Sequence, residues 1–167
     1  MKCLFSLVCF LFLAGCTSPD QQQPANGLSG KVVGLADGDT FTLLLPDNTT
    51  KKIRLYGIDA PERKQPFGTV ARQRLSELIF SKQVRVEQKD IDRYGRTVGV
   101  AYVDGLCVNE EMLRSGLVWH YTEYDKNPRW TELEQEARRK RIGLWQDRNP
   151  IAPWEWRKEQ REQQRAA

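Results

Sequence analysis

Between Lys31 and Val103, five stretches rich in β-branched and apolar residues follow one another, and a single helical pattern interrupts the series. They run from Lys31 to Leu35, Thr40 to Leu45, Lys52 to Ile58, Val84 to Lys89 and Val98 to Val103. Asp37-Gly38, Pro46-Asp47-Asn48 and Asp104-Gly105 supply turn signals between them. After the third stretch, Ala71, Leu75, Leu78 and Ile79 recur at helical spacing, which predicts an amphipathic helix packed on the strands. This order points to an α+β fold: a five-stranded OB-type Greek-key β-barrel capped by about three helices. The second helix is expected after Asn109, read as the N-cap of Glu110-Glu111-Met112-Leu113, with Gly116 as its stop. The third is expected from about Pro128 to Arg141, with Trp130, Leu133 and Ala137 on one face and Gly143 beyond it.

The amino terminus carries a different pattern. Met1-Lys2 precedes an apolar run from Leu4 to Leu13 that is too short to span a bilayer and reads as an export signal. It ends in Leu13-Ala14-Gly15-Cys16, which resembles the bacterial lipobox, where the cysteine becomes lipidated and the chain is cut before it. The expected organisation is therefore a signal peptide over residues 1–15 and a flexible linker over 16–28, starting at lipidated Cys16. A domain over 29–156 and a frayed polar tail over 157–167 complete it. Trp154 and Trp156 are expected to pack back on the body. Acyl chains would tether the protein to a membrane facing the periplasm or the cell exterior. Thr17 is not the aspartate of inner-membrane retention, so the outer membrane is favoured if the cell has one.

Of the four cysteines only Cys107 lies in the folded part, which excludes an intramolecular disulfide there, and its apolar neighbours suggest a packed group. No Cys and His cluster could hold zinc. The single histidine, His120, cannot support a two-histidine mechanism and is expected to be packed or at a rim. The net charge of +4 falls by one when Lys2 leaves, giving a mildly basic chain that permits a polyanionic partner.

Three segments carry chemistry: Asp37-Gly38-Asp39-Thr40, Arg54 through Asp59-Ala60-Pro61-Glu62, and Asp92-Arg93-Tyr94-Gly95-Arg96. Each alone is common. Together they supply what phosphodiester hydrolysis needs. Asp39 and Asp59 are candidate ligands for a hard cation. Arg54 and Arg96 are candidate guanidinium partners for phosphate oxygens, and Glu62, fixed after Pro61, is a candidate general base or water-orienting carboxylate. In a regular strand Arg54 and Asp59 would point to opposite faces, so their convergence requires an interruption, expected at Gly57. The structural alternative is an ion-pair network in a solvated turn region. The basic run Arg138 to Arg141 is read as a helix end rather than a nucleic-acid patch, and the tryptophans as packing residues.

From about Lys31 to Trp145 the order of these motifs resembles the staphylococcal nuclease, or thermonuclease, family; Val108-Asn109-Glu110, Gly116-Leu117 and Trp145 extend the match. That resemblance implies a calcium-dependent endonuclease that hydrolyses DNA and RNA and leaves 3′-phosphate ends. It implies Ca2+ on Asp39, Asp59 and the backbone carbonyl of Ala60, catalysis by Arg54, Glu62 and Arg96, and substrate contacts from Arg93, Tyr94, Tyr121 and Tyr124. Ala60 stands where the best-known member has threonine, and the Arg63 to Gly68 loop is shorter, so substrate preference does not carry over. A monomer is expected. The competing expectation is a catalytically inactive OB-fold lipoprotein that binds nucleic acid or protein.

Overall fold

Along each strand the side chains alternate between core and solvent, and that alternation curls the sheet around a single apolar centre. In β2 (Thr40–Leu44), Phe41 and Leu43 are buried whereas Thr42 and Leu44 are half-buried. The computed structural model describes residues 27–166; the expected signal peptide, Cys16 and the linker up to residue 26 lie outside the described residues. β1 (Gly27–Leu35) pairs antiparallel with β2, and β2 with β3 (Thr50–Leu55). On its other side β1 pairs with β5 (Gln83–Ile91), and β5 with β6 (Thr97–Val103). The parallel pairing of β3 with β6 closes the five strands into a barrel. Two short strands, β4 (Ile58–Asp59) and β8 (Trp119–His120), pair beside it, and β7 (Leu106–Cys107) extends the β6 edge.

The three expected helices are present. α1 (Gly68–Ile79) buries Ala71, Leu75 and Ile79 against the barrel. α2 (Val108–Arg114) buries Met112 and Leu113, and α3 (Pro128–Arg139) buries Trp130, Leu133 and Ala137. Asn127 caps α3, its side chain accepting a hydrogen bond from the Arg129 amide at 2.9 Å. These residues and the inward positions of the strands, among them Val32, Ile53, Leu55, Val84 and Val86, form one core.

Four expectations require correction. Asn109 does not cap α2, since Cys107 precedes the first helical residue. Its amide is fully buried instead, accepting from the Ala101 amide at 3.0 Å and donating to the Tyr56 carbonyl at 2.8 Å, so it joins α2 to β6 and to the turn after β3. The third strand stops at Leu55, and Ile58-Asp59 forms a separate strand, because Gly57 takes a left-handed conformation (φ 66°) between them. The residues expected to fray instead form a fourth helix, α4 (Pro153–Ala166), anchored through its first turns. Pro153 is buried and Trp154 stacks on Tyr121 with ring centroids 5.0 Å apart and planes 7° from parallel. At the other end, Gly27 and Leu28, expected in the linker, already belong to β1 opposite Glu87 and Val86.

Candidate active site

The Asp37-Gly38 turn returns the chain into β2 with Asp39 at its mouth, where the Asp37 carboxylate accepts the Asp39 amide at 3.1 Å. Asp39 is 4% exposed and Asp59 1% exposed, so two carboxylates are set into the body side by side. Burial pushes the Asp39 carboxyl well above its ordinary value; Arg54 opposes this, while Asp37 and Asp59 add to it. The Ala60 amide donates to Asp39 Oδ2 at 2.6 Å, and the Thr40 hydroxyl to Oδ1 at 3.1 Å.

Arg54 lies between the two acids. Its guanidinium contacts Asp39 at 3.0 Å and Asp59 at 2.8 Å, and donates to the Leu55 and Ile58 carbonyls at 3.0 and 2.8 Å. The strand break at Gly57 resolves the parity conflict expected from the sequence, since the chain turns between Leu55 and Ile58 and brings Asp59 back beside Arg54. Glu62 follows two residues after Ala60; its amide donates to the Gln65 side chain at 3.1 Å, and Gln65 in turn donates to the Ile151 carbonyl at 2.7 Å. The Glu62 carbonyl packs against Gly68 so closely that a Cβ there would overlap it.

The sequence reading missed Arg157. From the second turn of α4 it donates to Asp59 Oδ2 at 2.7 Å and to Glu62 Oε1 at 2.9 Å, joining the buried acid to the outer one. Burial works against its charge, but hydrogen bonds and charge from Asp59 and Glu62 outweigh that and raise it above the usual guanidinium range. A signal was available: once Trp154 and Trp156 were expected to pack on the body, the adjacent Arg157 had to come with them.

The other expected site residues are more dispersed. Arg96 pairs with Asp92 at 2.7 Å, and among the described residues no hydrogen bond or ion pair joins it to Asp39 or Asp59. The register opposes Ile53 to Thr97 and Arg54 to Val98, which puts Arg54 and Arg96 on the same outer barrel face, with backbones roughly 8 Å apart. Arg93 and Arg96 lie 5.3 and 5.7 Å from the exposed Tyr94 ring. Tyr121 is clamped by Trp154, and Tyr124 is exposed. Cys107 is half-buried, with burial pushing its thiol up, and His120 is packed between Thr131 and Asp125. Arg138 stacks over Trp145 at 3.8 Å, consistent with a helix-end role for the basic run.

The donor chemistry fits a hard cation such as calcium, with Asp39 and Asp59 offering carboxylate oxygens and Ala60 a backbone carbonyl. Among the described residues no group of three or more His, Cys, Asp or Glu forms a ready-made metal cluster, so water would complete the shell.

A family model described as staphylococcal nuclease homologue matches residues 52–147, more than half of the chain. The chain belongs to the staphylococcal nuclease family. It is 42% identical over 131 residues to an uncharacterized endonuclease of Haemophilus influenzae, covering 78% of this chain and 74% of that one. It is 44% identical over 140 residues to a micrococcal nuclease of Shigella flexneri, covering 77% and 80%. A staphylococcal-like nuclease of Arabidopsis thaliana is 49% identical over 110 residues, 66% of this chain but only 34% of that longer one. Membership of this nuclease family makes the chain a phosphodiester hydrolase, and the matched span contains Arg54, Asp59, Glu62 and Arg96.

Proposed function

We propose that this protein is a calcium-dependent endonuclease that hydrolyses DNA and RNA to products with 3′-phosphate ends, held at a membrane by a lipid on Cys16. The observation that carries the catalytic reading is the contact set joining Asp39, Arg54, Asp59, Arg157 and Glu62. Calcium bound by Asp39, Asp59 and the Ala60 carbonyl would activate a water and offset charge on the phosphoryl oxygens. Glu62, whose position is set by Pro61, Gln65 and Gly68, takes the proton of the attacking water or holds that water in line. Arg54 presents a guanidinium already fixed by four acceptors, so little ordering remains to be done when a phosphate arrives. Arg96, on the same barrel face, supplies the second clamp once it swings from Asp92. Arg93 and Tyr94, with Tyr121 and Tyr124, border the path of the flanking nucleotides.

The reading is tested by digesting end-labelled DNA and RNA while titrating calcium, with the product ends identified. Activity should need calcium and stop in chelator. Arg54→Ala and Glu62→Ala should each lower kcat by at least about a hundredfold with unchanged circular dichroism. Full turnover in excess chelator, or in both variants, would remove the mechanism and leave the inactive binding lipoprotein as the better account. Metabolic labelling with a fatty acid, lost in Cys16→Ser, tests the anchor.

A further inference from the structure

Beyond the catalytic cluster, α4 carries a charge pattern that the site does not use. We propose that its basic flank is a binding site for the nucleic-acid strand leaving the catalytic carboxylates, with Lys158, Arg161 and Arg165 facing successive phosphates. This rests on the nuclease reading and adds to it a substrate surface outside the cleavage site.

The first turns of α4 are fixed at the site. Trp154 stacks on Tyr121 and meets Trp119 edge-on at 5.6 Å, while Arg157 holds Asp59 and Glu62. From Lys158 onward every residue of the helix except Gln160 is exposed. Arg157, Arg161 and Arg165 recur every fourth residue, so each step advances about 6 Å along the axis and stays on one ridge, with Lys158 beside it. Glu155, Glu159 and Glu162 centre on the neighbouring sector; Glu162 lies one turn from Lys158 and Arg165, but among the described residues it is ion-paired to neither. The contrast with α3 is informative. There Arg129, Arg138 and Lys140 each pair with a glutamate three or four residues away, whereas Lys158, Arg161 and Arg165 have no ion-pair partner among the described residues. A row of exposed cations without ion-pair partners that starts beside the Asp59 and Glu62 carboxylates and runs outward is complementary to a phosphate backbone, and to an extended strand in particular.

The test uses the full-length mature protein and the triple variant Lys158→Gln, Arg161→Gln, Arg165→Gln, which leaves Arg157 and the cluster intact. Binding of a fluorescent single-stranded oligonucleotide is followed by anisotropy in chelator, so that no cleavage intervenes, over a range of salt. The variant should bind about tenfold more weakly, and its slope of log affinity against log salt should be shallower by about 2, at roughly 0.7 per lost phosphate contact. In calcium its KM for a long polynucleotide should rise while hydrolysis of a dinucleotide stays at the wild-type rate. The Arg161→Lys, Arg165→Lys variant, which keeps the charge, should bind as the parent does, and a loss as large as in the triple variant would count against the phosphate reading. Unchanged affinity and salt slope in the triple variant would overturn the proposal. So would loss of binding to phosphatidylglycerol vesicles with oligonucleotide binding retained, which would make α4 a membrane-facing surface. If the oligonucleotide result holds but no polynucleotide is cut, the binding site stands and the catalytic reading alone fails.

Discussion

Asp59 is held by two guanidinium groups at once, and the consequences differ for its two oxygens. Arg54 and Arg157 both reach Oδ1, whereas Oδ2 is held by Arg157 alone. With Asp59 as a calcium ligand, the ion and Arg157 compete for the same oxygen, and the like charges repel. Arg157→Gln should therefore tighten calcium binding about three- to tenfold in calorimetry, a readout that needs no turnover. An unchanged dissociation constant would show that Arg157 does not contest the ion. At Asp92 burial pulls the carboxyl up, but hydrogen bonds from Arg96 and from the Tyr94 amide, together with the Arg96 charge, hold it below its ordinary value. A depressed folded-state value means a stabilising contribution that is full above the unfolded value, near 3.8, and lost as pH falls through the folded one. The stability difference between wild type and Asp92→Asn should accordingly shrink on acidification below about pH 4, followed by urea unfolding. A difference constant between pH 6 and pH 2 would count against it. Asp39, Arg54, Asp59 and Glu62 could be singled out in the sequence because paired acids and an arginine form a local pattern. Arg157 belongs to no such local pattern, because its partners lie about a hundred residues away, and only the packing expected of Trp154 and Trp156 points to it.

Among the elements, the α1 start and the β3 to β4 break do the positioning. Gly68 opens α1 directly under the Glu62 carbonyl, so Gly68→Ala must displace the loop that aims Glu62. The expected result is a loss of about 1–3 kcal/mol in stability and a fall in kcat larger than any change in KM. Equal kinetics would show that the Glu62 loop tolerates the shift. Strand and helix positions were readable from periodicity, and so was the need for a break at Gly57. The Asn109 misreading has a plain cause. Its side-chain chemistry suits an N-cap, but two barrel backbone groups, the Ala101 amide of β6 and the Tyr56 carbonyl of the turn after β3, need a buried partner at the same place. Tertiary demand outweighed the local preference. The α4 difference has the same origin: the packed Trp154 and the ion pairs of Arg157 hold the first turns, and the polar residues beyond them continue the helix rather than fray.

At the level of the whole molecule, Asn109 ties α2 to β6 and to the turn after β3, so it links the helical cap to the barrel. Asn109→Leu leaves a buried amide and a buried carbonyl unpaired and should cost about 2–4 kcal/mol in denaturant unfolding. A smaller loss would mean that water replaces the side chain. Barrel closure itself could not be derived from periodicity, because alternation says which face is apolar but not which strands meet. The meeting of β3 with β6 has one more consequence. Ile53 must find Thr97 across α1 and the whole of β5, the kind of distant encounter that comes late in folding. The Asp39 and Arg54 contact is set locally by the β2 to β3 hairpin, but Tyr56 donates to the Gly99 carbonyl at the β3 to β6 seam, so the turn that leads to Asp59 is tied down by the same closure. An unsealed barrel thus leaves the approach to Asp59 without its tether to β6, and the centre is fully braced only when the last seam shuts.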